Sequence, residues 1–439
     1  MKNLRITLLL TGLFLVVACG PKDMSGQDLS GQDLSGQDLS GRNLSGANLS
    51  HANLTEADLR EINLSKSNLT MTGLSGANLN GANLIGADLN EAFLVGNNLG
   101  GANLLYANLG GANLREANLI EANLTGASLA GINLRGADLT RTDLTGVVLT
   151  AADLTDANLT DANLTGADLT DTDLTRANLT GANLTEVNLT SANLTSANLI
   201  NTNLREAILR AHANLRGANL AGANLTDANL AAKHEHSTNL GYYFTGGANL
   251  IEVNLTDANL TRASLSGVNL TEADLTEAVL TEADFYKANL TRVNLTNANL
   301  HEATLLNVNL KGANLTGADL TDANFTIPAI TTLPPGVVLV PVPLAGQQAD
   351  LSRTADIIET ADLTEVDLTD ANLTRANLSG VNLTEADLTK AVLTEADFYK
   401  ANLTGANFTG ANLTNADLTG ANLTDADFTR ANLTGAIGL

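Results

Sequence analysis

Few side chains of this sequence are placed to do covalent or metal chemistry. The chain contains one cysteine, Cys19, and five histidines, of which His234 and His236 are separated by a single residue. Two histidines at that spacing could ligate a metal ion, but no cysteine or carboxylate spacing completes the site. We therefore expect a surface loop at this point, with no metal site and no cofactor.

Cys19 follows a segment with the features of an export signal. Two basic residues within the first five positions precede an apolar run from Ile6 to Val17, and the small residue Ala18 comes next. A charged start, a short apolar core and a small residue are typical of a signal peptide. The apolar run is too short to span a bilayer core of about 30 Å. We predict that residues 1–18 are a signal peptide.

Residues 16–19, Val-Val-Ala-Cys, resemble the lipobox of bacterial lipoproteins. The resemblance implies cleavage before Cys19, attachment of diacylglycerol to its sulfur, and a membrane as partner through that lipid. Residues 19–26 would then be a lipidated tether. Gly20 stands where an aspartate would imply retention in the inner membrane, so the resemblance favours the cell envelope and, in a Gram-negative cell, the outer membrane.

The rest of the chain repeats every five residues. From Leu29 to Leu209 every fifth residue is leucine, in units of the form Ala-Asn/Asp-Leu-Thr/Ser-x. A period of five suits neither an α-helix nor a straight strand, because successive leucines would not share one face. The pattern instead predicts short extended pieces joined by bends, with leucine and alanine inward and Asn or Asp outward. Parallel pairing of stacked coils would satisfy the backbone.

The repeat resembles the pentapeptide-repeat proteins, with their Ala-Asp/Asn-Leu-x-x units. The resemblance implies an all-β fold, a right-handed quadrilateral parallel β-helix with four units per coil. It covers roughly residues 27–436, with 72 units by count. At a strand spacing near 4.8 Å this implies about 18 coils and a rod roughly 85 Å long. Phenylalanine replaces leucine toward the C-terminus, at Phe285, Phe325, Phe398, Phe408 and Phe428.

Departures from the repeat divide the predicted solenoid. We place solenoid at 27–230, a loop insertion at 231–247, solenoid at 248–326, a Pro-rich insertion at 327–360 and solenoid at 361–436. One residue is also added near His212, and we expect the rod to absorb it as a bulge. The first units have glutamine at the small inward position, namely Gln27, Gln32 and Gln37. Buried glutamine needs partners, so we expect either a frayed first coil or a flexible spacer.

The Pro-rich insertion holds five of the six prolines of the chain and the apolar run Val337–Val340. Prolines at this density argue against a central strand. The segment could protrude, wrap the rod, or link two solenoids. A long apolar insertion is the best candidate for binding a protein partner, and an inert insertion packed on the rod is the alternative.

Two blocks of the solenoid are nearly identical in sequence. Residues 252–291 and 365–404 differ at three of 40 aligned positions, and both contain Asp-Phe-Tyr-Lys. We interpret the identity as duplication of coils. The chain also stops directly after repeat units, which leaves an open strand edge. We therefore predict either an end-to-end homodimer or capping by the Pro-rich insertion.

The net charge and the residue types of the chain argue against some classes of function. The formal net charge is −24, and removing residues 1–18 takes away two basic residues and no acid, which leaves about −26. Nucleic acid is thus excluded as a partner. Flat walls, one cysteine and scattered histidines offer no nucleophile, base and orienting group together, so we expect no enzyme. A structural or protein-interaction scaffold anchored in the envelope fits best.

Two other functions remain open. Some acidic pentapeptide-repeat proteins imitate DNA and inhibit gyrase. The location argues against that alternative, and so does the charge layout: the ten Asp that precede Leu29 to Leu174 fall on four faces as three, three, three and one. The other alternative is a ladder of threonines that contacts ice, glycan or mineral, because stacked coils repeat hydroxyls at strand spacing.

Overall fold

The chain forms one parallel β-helix. The computed structural model describes residues 22–210, 212–237, 241–245, 247–325 and 361–439. Single-residue parallel bridges join units twenty positions apart, as between Asn158 and Asn178, so each coil contains four units. The predicted signal peptide, Cys19 and residues 327–360 lie outside the described residues.

Every backbone amide of a typical unit has an acceptor, and this pairing explains the repeat. In residues 157–161 the amides of the first, second, third and fifth residues donate to backbone carbonyls, three of them in neighbouring coils. The fourth amide, of Thr160, donates to Oδ1 of Asn158 at 3.3 Å. Buried or half-buried amides must be paired, so the unit needs an Asn or Asp where the backbone supplies no acceptor.

A tight turn ends every unit. Its first residue is the core leucine, and the amide three positions later donates back to that leucine's carbonyl, as from Ala157 to Leu154 at 3.0 Å. The third residue of the turn has a positive φ, 56° at Asp161 and 63° at Gly166. Positive φ at this position is the mark of a type II turn, and it explains the frequent glycine there.

The core is a column of leucine and alanine, as predicted. Leu159 and Ala157 are fully buried, and the same positions are buried from the second coil to the penultimate one. Phe408 is buried as well, and it stacks on Phe428 one coil later with ring centroids 4.8 Å apart. The Asn or Asp between the two inward residues points outward.

The first coil is more regular than predicted. Asp23 already bridges Asn43, and Met24 packs against the core where later units have leucine. The prediction of a tether through residue 26 is therefore wrong at its end, because Asp23-Met24-Ser25-Gly26 is a repeat unit with methionine in place of leucine. Gln27 and Gln32 are exposed, so they avoid the burial that suggested fraying, whereas Gln37 is half-buried and its Oε1 has no hydrogen-bond partner among the described residues.

The added residue near His212 and the first insertion leave the ladder in register. Asn193 bridges Asn214 across the added residue, which confirms the predicted bulge. The predicted loop at 231–247 is instead a β-hairpin. Strand β1 (Lys233–Ser237) pairs antiparallel with strand β2 (Gly241–Thr245). Its residues leave the five-residue pattern for two short strands, and Asn214 still bridges Asn249 beyond them.

The ladder also passes the Pro-rich insertion without a break. Asn309 bridges Asp362, and the amide of Leu310 donates to the carbonyl of Asp362 at 2.8 Å. These contacts repeat those between ordinary neighbouring coils. The insertion therefore does not link two solenoids, and residues 361–439 continue the same rod.

Candidate interaction surface

The sequence-predicted site residues are only partly within the described structure. Cys19 lies outside it. His234 and His236 occupy alternate positions of β1, opposite Phe244 and Tyr242 of β2. The prediction of no metal at this pair stays a prediction.

A charged cluster elsewhere was missed by the sequence analysis because its members come from successive coils. Ligand atoms of His301, Glu302 and Asp322 lie within 4.8 Å of one another. Nδ1 of His301 contacts the carbonyl of Thr321 at 3.1 Å, and Nε2 lies 3.2 Å from Glu302.

The carboxylate of Asp322 in this cluster is already engaged. Arg375 donates to both of its oxygens at 2.7 Å, and this hydrogen bonding holds the pKa of Asp322 below its ordinary value. A divalent cation would have to compete with the guanidinium. We interpret the cluster as an ion-pair network at the surface.

Many of the threonine hydroxyls form hydrogen bonds within the rod itself. Thr160 Oγ1 donates to Asn158 Oδ1 at 2.7 Å and accepts from Asn178 Nδ2 of the next coil at 2.9 Å. The same pair of bonds recurs along several faces. A hydroxyl that already donates and accepts has little left to offer a ligand, so the threonine ladder is poorly suited to contact ice, glycan or mineral.

The depressions on the described surface of the rod are shallow. A polar depression of ≈ 310 Å³ lies where Gly100 and Gly101 leave space between longer neighbours, with Asn80 and Glu121 at its rim. Its side chains are amides, one carboxylate and one isoleucine, and no nucleophile stands beside a base. Nothing in this depression suggests catalysis.

Bridged residues divide the rod into four faces. Face 1 begins at Asp23, face 2 at Asp28, face 3 at Asp33 and face 4 at Asp38, and each continues along the described rod through bridges between successive coils. A corner is the turn that joins one face to the next. The Asp residues that precede the core leucines are spread over these faces, as predicted.

All three interruptions leave the rod at the same corner. The added residue near His212 follows Leu209, the hairpin follows Leu230 and the Pro-rich insertion follows Phe325; all three units belong to face 2, and each is succeeded by a unit of face 3. We call the turns between faces 2 and 3 the insertion corner.

The insertion corner differs in charge from the other corners. Beyond the hairpin, its described turns have no acid at the positive-φ position, which is occupied by Gly267, Lys287, Asn307, Gly380, Lys400 and Gly420. From Asp227 onward the other three corners carry both signs of charge at that position, with more acids than bases. The bases are Arg262, Arg292, Arg375, Lys390 and Arg430, and the acids are Asp227, Glu252, Asp257, Glu272, Glu277, Glu282, Glu302, Asp322, Glu365, Asp370, Glu385, Glu395 and Asp425. Beyond the hairpin, the insertion corner is therefore the one edge of the described rod without acids at this position.

Tyrosine is concentrated on this edge. The chain has five tyrosines, and Tyr242, Tyr243, Tyr286 and Tyr399 all belong to the insertion corner or to the hairpin that leaves it. Lys400 Nζ lies 4.8 Å from the centroid of the Tyr399 ring, and Tyr399 is 43% exposed.

The duplicated block places an equivalent pair on the same edge. Lys287 Nζ lies 5.6 Å from the centroid of the Tyr286 ring. The bridges that run from Asp284 to Asp397 put the two pairs four coils apart, a distance of about 19 Å at strand spacing. The corner therefore repeats one tyrosine–lysine arrangement along its length.

A family model for pentapeptide repeats matches most of this sequence. The matched segments are 28–70, 43–81, 77–116, 132–171, 172–210, 211–231, 248–285, 258–297, 288–326, 361–398 and 401–437. The chain belongs to the pentapeptide-repeat family. Pentapeptide-repeat proteins fold as right-handed quadrilateral β-helices, and the four-unit coils described above agree with the predicted fold class.

Solved structures of other pentapeptide-repeat proteins are similar to this one. HetL, involved in regulation of heterocyst differentiation in the cyanobacterium Nostoc, is 27% identical over 74% of this chain and 88% of its own, with a TM-score of 0.22. A thylakoid-lumen protein of Arabidopsis thaliana is 35% identical over 23% of this chain and 66% of its own, with a TM-score of 0.18. QnrB1, a plasmid-mediated fluoroquinolone resistance protein, is 17% identical over 50% and 90%, with a TM-score of 0.21.

No curated protein matches the sequence of this pentapeptide-repeat protein. Within the described ranges, no helix has the length and apolar character needed to cross a bilayer.

Proposed function

We infer that this pentapeptide-repeat protein is a non-enzymatic scaffold of the bacterial cell envelope, anchored by a lipid on Cys19. The export signal and the lipobox-like residues 16–19 support the anchor. Gly20 favours the outer membrane if the cell is Gram-negative. Asp23 makes the first bridge of the rod soon after Cys19, so the rod would begin close to the membrane.

The observation that supports the scaffold function is that all three interruptions leave the rod at the insertion corner. A rod that merely tolerated insertions would accept them at any of its four corners, because the turns are alike. Here they all leave the same corner, and the bridges between successive coils continue across each of them. A rod whose insertions all leave one corner can offer them to protein partners along one edge, and we take residues 327–360 as the main binding element.

Lipid attachment can be tested directly in bacterial cells. We expect the full chain to incorporate labelled palmitate and to partition into detergent, and Cys19→Ser to abolish both. A soluble, unlabelled wild-type protein would show that the anchor is wrong.

The scaffold function needs a separate test, because it does not depend on the lipid. The ladder indicates how to remove the insertion cleanly: replacing residues 326–360 by Thr-Gly joins Phe325 to Ala361 through a normal corner. The control removes residues 232–246, so that Leu230-Ala231-Gly247-Ala248 forms the same kind of turn. We expect a pull-down from envelope extract to lose a protein partner in the first variant and to keep it in the control. Equal recovery with both variants would contradict binding through residues 327–360.

A further inference from the structure

The insertion corner has the composition of a surface that meets a membrane. Tyrosine, with an apolar ring and a polar hydroxyl, is enriched at bilayer–water interfaces, and lysine reaches past apolar contacts to bind anionic headgroups. Tyr399 is exposed with Lys400 beside it, and Tyr286 and Lys287 repeat the pair. Leu306 stands between the pairs where most other corners have threonine.

The other three corners are unsuited to such a surface. Acids outnumber bases at their positive-φ positions, as at Glu272, Glu282 and Glu385, and anionic headgroups would repel these acids. Repulsion that is stronger on these three edges than on the insertion corner would orient the rod about its long axis. The edge with the fewest acidic turn residues is therefore also the edge that carries Tyr286 and Tyr399.

The aspartates nearest the tyrosines are held by the rod. Asp397 Oδ2 accepts a hydrogen bond from Ser379 Oγ at 2.7 Å, and its Oδ1 accepts from the amide of Tyr399 at 2.8 Å. In the duplicate block Asp284 accepts in the same way from Ser266 at 2.6 Å. Both carboxylates are thus held within the face, while the lysines lie at the corner itself.

We propose that the insertion corner of the C-terminal half binds an anionic phospholipid surface, with the rod lying along the bilayer. Tyr286 and Tyr399 would insert at the level of the headgroups, and Lys287 and Lys400 would pair with lipid phosphates. Tyr242 and Tyr243 belong to the hairpin that leaves the same corner. This inference goes beyond the proposed function, because it does not require the lipid on Cys19.

The test uses the chain from Gly20 onward, which lacks the anchor and keeps every described coil, and measures its flotation with vesicles. We expect binding to vesicles of mixed phosphatidylglycerol and phosphatidylcholine and little binding to pure phosphatidylcholine. Raised salt should weaken it, because exposed charges are screened. Lys287→Glu with Lys400→Glu should weaken binding about tenfold or more. Tyr286→Ser with Tyr399→Ser should weaken it as well.

The duplication supplies a matched control. Lys390 lies on the corner between faces 4 and 1, and its counterpart in the first block is Glu277, so glutamate is accommodated there. Lys390→Glu with Arg430→Glu makes the same change in net charge on that other corner. We expect this variant to float like the parent, and thermal melts should show that all variants fold.

Several results would overturn the proposal. One is absence of flotation of the parent chain with anionic vesicles. Another is equal loss in the Lys390→Glu, Arg430→Glu control, which would mean that only net charge matters. A third is binding of soluble polyglutamate as tight as vesicle binding and indifferent to the tyrosine substitutions, since the corner would then be a general polyanion site.

Discussion

The side-chain amide of Asn178 donates to Oδ1 of Asn158, one coil earlier, at 3.3 Å. Asn178 in turn accepts from Asn198 at 3.3 Å, and the ladder continues. An aspartate in such a ladder can accept from the coil above but cannot donate to the coil below. Asn and Asp are therefore not equivalent at this position, although the sequence uses both.

We expect Asn178→Asp to destabilise the rod locally by about 1–2 kcal/mol, because the donated bonds to Asn158 and Thr160 are lost. Asp168→Asn is the control, since either residue can accept the bond from Asn188. Hydrogen exchange of the amides around residue 178 measures the effect locally, which suits a repeat rod that need not unfold in one step. Equal protection in both variants would show that the ladder contributes nothing.

The pattern of leucines was enough to predict which residues face inward, because a five-residue period with leucine and alanine leaves only one arrangement that buries both. The resemblance to the family supplied the four-unit coil. Cross-coil bonds such as Asn178 to Asn158 were missed, because residues twenty apart become neighbours only once the coil is known. The start of the rod was missed because Met24 replaces leucine there.

The candidate surface was only partly predictable. The two insertions were recognised by their loss of the repeat, and the Asp-Phe-Tyr-Lys segments by their duplication. Their common corner was not recognised, although counting units in fours between Leu209, Leu230 and Phe325 would have revealed it. The hairpin was not predicted, because the five-residue pattern gives no information about a segment that abandons it.

The first coils should lose stability in acid. Hydrogen bonds from the hydroxyl and amide of Ser30 hold the pKa of Asp28 below its ordinary value of 3.8, and Asp33 and Asp38 are bonded in the same way. A carboxyl with a lowered folded pKa stabilises the fold above 3.8 and loses that contribution as the pH falls through the folded value.

We therefore expect hydrogen-exchange protection of the first coils to fall as the pH drops below that value of 3.8. Asp28→Asn, Asp33→Asn and Asp38→Asn together should flatten this dependence. Ser30→Ala should make this loss of protection smaller, because Asp28 then loses its main donor and its folded pKa moves back toward the ordinary value. An unchanged pH profile in the triple variant would show that these three carboxylates do not cause the loss of protection in acid.

Gly126 allows a neighbouring ring to pack against the turn. Its φ is +64°, and a Cβ there would lie 2.7 Å from ring carbons of Tyr106. At Gly146, with φ +63°, the same atom would meet open space. We expect Gly146→Ala to cost about 1 kcal/mol for the left-handed backbone alone, and Gly126→Ala to cost more.

Thermal unfolding of the two alanine variants measures that difference. Adding Tyr106→Ser to Gly126→Ala should reduce its cost to that of Gly146→Ala, because the obstructing ring is then gone. Similar melting of the two single variants would mean that Tyr106 moves aside freely.

The coil at residues 421–437 has a half-buried core. Leu423, Phe428 and Leu433 pack against the preceding coil but keep part of their surface exposed. We expect this surface to support end-to-end association, or to be covered by the Pro-rich insertion. Light scattering of the chain from Gly20 onward should give a dimer that Leu423→Lys with Leu433→Lys converts to a monomer. A monomeric protein that stays monomeric when residues 326–360 are replaced by Thr-Gly would contradict both alternatives.

The ladder of bridges continues across the Pro-rich insertion, so the two parts of the chain should stay assembled when the chain is cut there. Because Leu310 bonds to Asp362 as neighbouring coils do everywhere else, cohesion between the two parts does not depend on the peptide that connects them. A protease cut between residues 326 and 360 should leave two pieces that run separately in denaturing gels and together in gel filtration. The two pieces, made as separate chains, should reassemble through coil-to-coil complementation.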